Sequence, residues 1–349
     1  MWQTVGQDHL LRQLDASLQA GRLGHAYLLS GPPNVGKMTL ALDMAAAVNC
    51  PVASGLLSAL MVPDAAAGGG PCGLCEPCSR IRRGVYADLN IVAVGGDPRV
   101  PTRISIEQVR EAENFLSVTP VEGGWKVIIF DGAETLSAGQ SESANALLKT
   151  LEEPPERVLL LLLTTAEDAI LPTIRSRCRL LSLRPMPGAA LADYLASQHS
   201  AEPDHASRLA RLARGCPGWA INALADPTML DTRSEELDRI VESVAAPLDR
   251  RFAYANTLGS AFSGDRESVR QTLYLWQGWW RDLLLLKEGV PEHVQNADRI
   301  EELEQFAAGI PSSAIVTLLR RIHSTLAALD ANANPRLALE CMMLDVPTI

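Results

Sequence analysis

The chain has 349 residues, 47% of them hydrophobic, 21% charged and only 5% aromatic, enough for two or three globular domains packed mainly by Leu, Ala, Val and Ile. Its 31 basic and 41 acidic residues leave a formal net charge of −10, which excludes a coat that is basic all over while leaving room for one basic surface on an acidic body. No apolar run approaches the roughly 20 residues that span a bilayer, and the first residues, with Asp8 and Arg12, lack the apolar stretch of a signal peptide, so a soluble cytoplasmic protein is expected.

In chain order, residues 10–18 carry apolar side chains at helical spacing, with Gly21 and Gly24 as stop signals. A short strand over 26–29 runs into Gly31, Pro32, Pro33, Asn34, Val35, Gly36 and Lys37, and 39–48 reads as the helix that follows. Residues 51–71 are low in charge and rich in Ala and Gly, the composition of a mobile insertion. A strand is expected over 90–94 and an amphipathic helix over 106–116, with Ile106, Val109, Phe115 and Leu116 on one face. Residues 126–130 form a buried strand delivering Asp131, 141–151 a helix stopped by Pro154 and Pro155, and 158–163 a second buried strand. Strands alternating with helices predict an α/β domain, a parallel sheet covered on both faces. Beyond Pro185, Pro187 and Gly188 only helical patterns remain, punctuated at Pro217-Gly218, Pro227, Pro247, Gly264 and Pro311. The expected domains are therefore an α/β nucleotide-binding-like domain over 1–185, a small helical module over 186–230 and an all-α domain over 235–349.

Seven cysteines, an odd number, argue against a disulfide framework. Cys72, Cys75 and Cys78 follow one another in two C-x-x-C steps, and Cys50 at the end of the preceding helix can close a tetrahedron with them. Four thiolates suit Zn²⁺ in a closed structural site with no position open to substrate. An iron–sulfur centre is the alternative, although the further Cys-Pro of the ferredoxin pattern is missing after Cys78. Cys178, Cys216 and Cys341 stand alone and read as small core residues.

The run from Gly31 to Lys37 is a phosphate loop, GxxxxGK between a strand and a helix. Its backbone N–H groups wrap phosphate oxygens, the helix N-terminus adds positive potential, and Lys37 reaches the β and γ oxygens, so ATP or ADP is the ligand it fits. The next position normally supplies a hydroxyl to Mg²⁺. Here it is Met38, a soft thioether, and Thr39 lies about 100° further round the helix. Asp131 ends its strand where α/β sheets bind ligands. The residue after it is Gly132 where an ATPase of this type carries a water-polarising Glu, and Glu134, two residues on, is not assigned that role. Slow or absent hydrolysis follows, because positioning and charge stabilisation are nearly all that phosphoryl transfer asks of a protein.

Several stretches together resemble the AAA+ clamp-loader family: Gly24-His25-Ala26-Tyr27, the four-cysteine insertion, Asn145 to Lys149 with Leu151-Glu152-Glu153-Pro154-Pro155, and Leu171-Pro172 with Arg175-Ser176-Arg177-Cys178. The resemblance runs over residues 1–225 and more weakly beyond, where Asn332, Asn334, Pro335, Leu337 and Glu340 are similar to the closing helix of the family's oligomerisation collar. It implies an AAA+ P-loop domain with a zinc-binding insertion, a helical lid and an all-α collar. It makes Arg177 an arginine finger acting in trans on a neighbour's ATP, and Thr164 or Thr165 the sensor. It also places Gly218 where active members carry a nucleotide-touching lid arginine. The implied partners are the other loader subunits (delta and tau/gamma), the sliding clamp and primed DNA, in a cytoplasmic replisome and with no membrane.

In the tail, Leu275, Trp276, Trp279, Trp280, Leu283 and Leu284 fall at helical spacing, read as buried packing or an interface in preference to a DNA-stacking platform; Met342 and Met343 read the same way. Arg80, Arg82 and Arg83 suit either DNA or a partner, or a plain solvated face. The preferred function is a clamp-loader subunit that completes a neighbour's ATPase without running its own. A working ATPase motor of the tau/gamma kind is supported by Lys37 and Asp131 and opposed by Met38, Gly132 and Gly218. An iron–sulfur nucleic-acid enzyme rests on the cysteine cluster alone.

Overall fold

Buried parallel strands need apolar side chains on both faces, and the central strands of this chain supply them without a break. The computed structural model describes residues 1–53, 70–94, 103–122, 124–137, 142–331 and 333–348; most of the expected insertion at 51–71 lies outside them. Helix α1 (Asp8–Gln19) precedes β1 (Ala26–Ser30), and the phosphate loop leads into α2 (Lys37–Asn49). Next come α3 (Glu76–Arg82), β2 (Leu89–Ala93), α4 (Ile106–Ser117) and β3 (Lys126–Asp131). They are followed by α5 (Glu142–Glu152), β4 (Val158–Thr164), α6 (Pro172–Arg175) and β5 (Arg179–Ser182). The five strands form one sheet in the order β2-β3-β4-β1-β5 with every neighbouring pair parallel.

The two-residue period of a strand sorts its side chains between two cores. Tyr27, Leu29, Val127, Ile129, Leu159, Leu161 and Leu163 share one core with residues of α1, α2 and α3. Ala26, Leu28, Ile128, Phe130, Leu160 and Leu162 share the other with α4 and α5. The sheet is thus covered on both faces, as the α/β reading requires. Helix α4 begins at a capping box in which Ser105 and Gln108 exchange side-chain-to-backbone hydrogen bonds, and α5 stops before Pro154. β5 has no counterpart in the sequence reading: it is four residues long, with Arg179 and Leu180 exposed, too short and too mixed to show a period.

Residues after Pro185 are helical, with α7 (Gly188–His199), α8 (Pro203–Leu212), α9 (Pro217–Ala225), α10 (Thr228–Ala245), α11 (Leu248–Ala261), α12 (Arg266–Lys287), α13 (Ile300–Gly309), α14 (Ser312–Asp330) and α15 (Pro335–Leu344). The chain divides into two compact units. One holds the described residues of Met1–Val94, Val100–Tyr194 and Gly215–Trp219, the other those of Leu195–Arg214 and Ala220–Ile349.

The second unit is built around α12. Trp276, Trp279 and Trp280 are each 0% exposed, so they are core and not a stacking platform. They pack with Leu237 and Ile240 of α10, Ala255 of α11, Ile315, Leu318 and Ile322 of α14, and Leu339, Met342 and Met343 of α15. Asp282, also fully buried on α12, accepts hydrogen bonds from the Gln295 and Asn296 backbone N–H groups (3.0 and 2.8 Å) and from Asn296 Nδ2 (2.7 Å), fixing the loop that follows. Arg208 of α8 and Arg233 of α10 converge on Asp298 at 3.4 and 3.6 Å. Cys341 corrects the expectation of a core thiol. It is exposed, because the buried side of α15 is set by Leu339, Met342 and Met343 and position 341 falls on the opposite side. Cys216 is buried, and Cys178 is half-buried with its thiol pushed up to about 12 by desolvation.

Trp280→Ala should cost about 3–5 kcal/mol in urea denaturation, the range for removing a fully buried indole. Leu344→Ala, at a position 57% exposed, should change stability by no more than about 0.5 kcal/mol.

Candidate functional site

Strand register sets the seat. Ser30 at the end of β1 pairs with Thr164 of β4 and Ser182 of β5, and Asp131 at the end of β3 pairs with Leu163. The carboxyl ends of four strands therefore lie level. The neighbours of β1 are β4 and β5, neither of them next in sequence, so the chain leaving β1 crosses the sheet and opens a crevice at the point where the strand order reverses. The phosphate loop occupies that crevice. Gly31 N–H donates to the Thr164 carbonyl at 3.2 Å, and a Cβ at Gly31 would lie 2.7 Å from the Leu183 carbonyl oxygen. Val35 is buried beneath the loop, and Gly36, with φ +102, turns the chain into α2.

Lys37 opens α2 and is only 9% exposed. Its ammonium donates to the carbonyls of Gly31 (2.7 Å) and Pro32 (2.8 Å). Burial holds its pKa below the ordinary lysine value, against the pull of Asp131 and Glu134, which favour the charged form. Asp131 is raised above the usual carboxylate range, chiefly by desolvation, with Lys37 opposing the rise and Glu134 adding to it. Met38 and Thr39 are both half-buried, and Met38 packs against the apolar core beneath α2.

Glu134, set aside in the sequence reading, belongs to this site. Gly132, with φ +83, turns the chain into a 3-10 turn over Ala133–Ser137, and this brings Glu134 back to the strand end. Its Oε1 accepts from the Thr165 hydroxyl at 3.0 Å. Its Oε2 is buried with no hydrogen-bond partner among the described residues. The two threonines also separate here. Thr164, 1% exposed, turns its hydroxyl back to accept from Ala166 N–H at 3.0 Å, while Thr165 meets Glu134. Nothing in the local sequence distinguishes them, because the difference lies in a partner 31 residues away.

Gly218, the position of the expected lid arginine, is pressed onto the loop backbone. Its N–H donates to the Asn34 carbonyl at 2.9 Å, and a Cβ there would also lie 2.9 Å from that oxygen. Gly215, φ +75, anchors the same segment by accepting from Met186 N–H at 2.9 Å.

The four predicted cysteines come together. Cys50 caps the C-terminus of α2, Cys75 is the N-cap of α3 and Cys78 lies in its first turn. The three C-x-x-C cysteines thus span a turn and a helix start. All four sulfurs lie within 4.8 Å of one another, and Cys75 and Cys50 are 3.9 Å apart. A tetrahedral ion about 2.3 Å from each thiolate needs sulfurs about 3.8 Å apart, so the set could hold a metal ion. Backbone N–H groups of Cys72 and Ala53 point at Cys50 Sγ, and that of Cys75 at Cys72 Sγ (3.3–3.5 Å). The Cys50 thiol is pulled down to about 4, first by its hydrogen bond with Cys78, and Cys78 is raised by the same bond. All three members of the nearby basic run make contacts within the protein, Arg83 through Nε to the Ser79 carbonyl at 3.4 Å. Arg80 pairs with Glu122 at 2.7 Å and lies over the Tyr86 ring, and Arg82 donates to the Gly73 carbonyl at 3.3 Å. Arg83 is exposed.

Arg177 follows α6 and keeps 36% of its side chain exposed. Its Nη2 donates to Glu152 Oε1 at 2.6 Å, and its Nη1 to the Thr173 carbonyl at 2.9 Å. None of these partners is a seat residue.

Residues 6–187 match the family described as "DNA polymerase III, delta subunit", and residues 255–348 match "DNA polymerase III, delta subunit, C terminal". The DNA polymerase III subunit tau/gamma of Haemophilus influenzae is 32% identical over 273 residues, covering 77% of this chain and 36% of that protein. The subunit gamma/tau of Mycobacterium tuberculosis (strain H37Rv) is 28% identical over 375 residues, covering 99% of this chain and 61% of its own length. The chain thus spans between 36% and 61% of the length of these curated relatives. A gamma-subunit-related protein from Thermotoga maritima aligns in structure at 16% identity and a TM-score of 0.43, over 95% of this chain and 97% of that one.

Gly218→Ala should destabilise the protein by about 1–3 kcal/mol in urea denaturation, the range for forcing a methyl into packed surroundings. Gly188→Ala, where nothing lies within 4 Å of the new Cβ, should be neutral or stabilising by less than about 1 kcal/mol.

Proposed function

The chain belongs to the DNA polymerase III delta-subunit family, and from that premise we propose that it is a delta-prime-type subunit of a clamp loader. In this reading it helps load a sliding clamp on primed DNA beside delta and tau/gamma subunits, hydrolyses ATP poorly or not at all, and lends Arg177 to a neighbour's ATP. The observation that carries it is an asymmetry between two sites. At the chain's own seat the hydroxyl that would hold Mg²⁺ is replaced by Met38, and the lid position is Gly218, closed against the Asn34 carbonyl. Arg177, by contrast, is exposed and held on its own chain by acceptors outside the seat.

The chemistry follows from charge. Phosphoryl transfer spreads negative charge over the terminal phosphate oxygens, and a planar guanidinium that is always protonated neutralises it without a proton transfer. The chain's own seat, where Asp131 and Glu134 outnumber Lys37, fits ATP or ADP held without turnover. The helices over 186–230 serve as the lid and 235–349 as the oligomerisation collar. The four cysteines take structural Zn²⁺, which holds the end of α2 against α3 and leaves no ligand position open.

A second reading, a tau/gamma-like motor, draws on Lys37, Asp131 and Glu134 acting on one another at the seat. The two readings part in a reconstituted loader. With Arg177→Ala and an intact assembly by gel filtration, turnover at the neighbouring ATPase should fall by about 10³-fold or more. Turnover unchanged by Arg177→Ala and abolished by Lys37→Ala would favour the motor. Metal analysis of the purified chain should find one zinc per chain in a colourless protein. Removal by a chelator should lower the melting temperature, and brown colour with bound iron would contradict the zinc assignment.

A further inference from the structure

Resting on the reading of Arg177 as a trans-acting finger, we propose that Glu152 is a positioning residue that aims Arg177 at the neighbour's terminal phosphate. Glu152 is the last residue of α5 and is followed by Glu153. A helix C-terminus carries partial negative charge, so a carboxylate there is unfavourable by itself. Arg177, with Nη2 2.6 Å from Glu152 Oε1, offsets that placement. The two side chains are 36% and 52% exposed, a setting in which an ion pair adds little to stability. What the pair does supply is geometry.

The guanidinium meets three acceptors on its own chain: Glu152 Oε1 at 2.6 Å, the Thr173 carbonyl at 2.9 Å and the Ser176 hydroxyl at 3.4 Å. These use both N–H donors of Nη1 and one of Nη2. Of the five donors of an arginine, Nε–H and the second Nη2–H have no partner among the described residues and are left for an incoming phosphate oxygen. A long side chain fixed in this way has already lost its rotamer freedom when the neighbour docks, so less of the interaction is consumed in ordering it. Thr173 and Ser176 are close neighbours of Arg177 in the chain, whereas Glu152 lies 25 residues away and ties the finger to α5.

The test uses the reconstituted loader with Mg-ATP and primed DNA, comparing Glu152→Ala, Glu152→Gln and Arg177→Ala. Glu152→Ala should lower the neighbour's kcat by about ten- to a hundredfold, the scale of loss from an ångström of misplacement, with KM within about twofold. Glu152→Gln, which keeps an acceptor oxygen, should restore most of that loss, and both variants should assemble and melt like the parent. Parental kcat in Glu152→Ala overturns the proposal. So does a raised kcat in both variants, which would make the carboxylate a brake, or an equal loss in both, which would show that the acceptor oxygen does not aim the guanidinium. An inactive Arg177→Ala beside a normal Glu152→Ala removes this proposal alone; a fully active Arg177→Ala removes the finger reading and this one with it.

Discussion

A lysine that is 9% exposed, at the carboxyl edge of a parallel sheet, is the constraint around which the first unit is organised. A charge so far from water needs acceptors and opposite charge. Lys37 finds the first in the Gly31 and Pro32 carbonyls and the second in Asp131 and Glu134. Each supplier is fixed by the fold. β1 sets the loop, the register of β3 against β4 places Asp131, and the turn at Gly132 returns Glu134. Desolvation still prevails, and the lysine is held below its ordinary pKa. Two acids thus surround one cation, with Met38 in place of a metal-holding hydroxyl.

The same helix joins this seat to the cysteine cluster. α2 begins at Lys37 and ends at Asn49, with Cys50 as its C-cap, so four sulfurs that could hold a metal ion lie at the far end of the helix that Lys37 opens. The segment 215–219 fastens the near end through Gly218 and Asn34. The phosphate-loop helix thus has a fixed contact at its start and the cysteine cluster at its end. Arg177, exposed, sits apart from these contacts on the stretch between α6 and β5.

Much of this was legible in the sequence, for physical reasons. β1, β3 and β4 show as apolar runs because both faces of the sheet are covered, and the cysteine cluster shows because two C-x-x-C steps are a metal-ligand spacing. The Trp stripe was ambiguous, since a core and a stacking platform share one helical period; burial by α10, α11, α14 and α15 decides for core. β5 stayed hidden because an edge strand of four residues carries no period. The contacts of Glu134 and Glu152, both named in the sequence reading, stayed hidden because their partners, Thr165 and Arg177, are 31 and 25 residues away in the chain. Cys341 was misplaced because a lone cysteine carries no sign of which side of its helix is buried.

The most direct measurement is steady-state ATP hydrolysis by the purified chain alone, with Mg²⁺, with and without primed DNA, beside a Lys37→Ala control. A seat built as described should give no turnover above the control. Turnover of about 1 s⁻¹ or more, within the ordinary enzyme range and abolished by Lys37→Ala, would contradict the account and make this chain a motor in its own right.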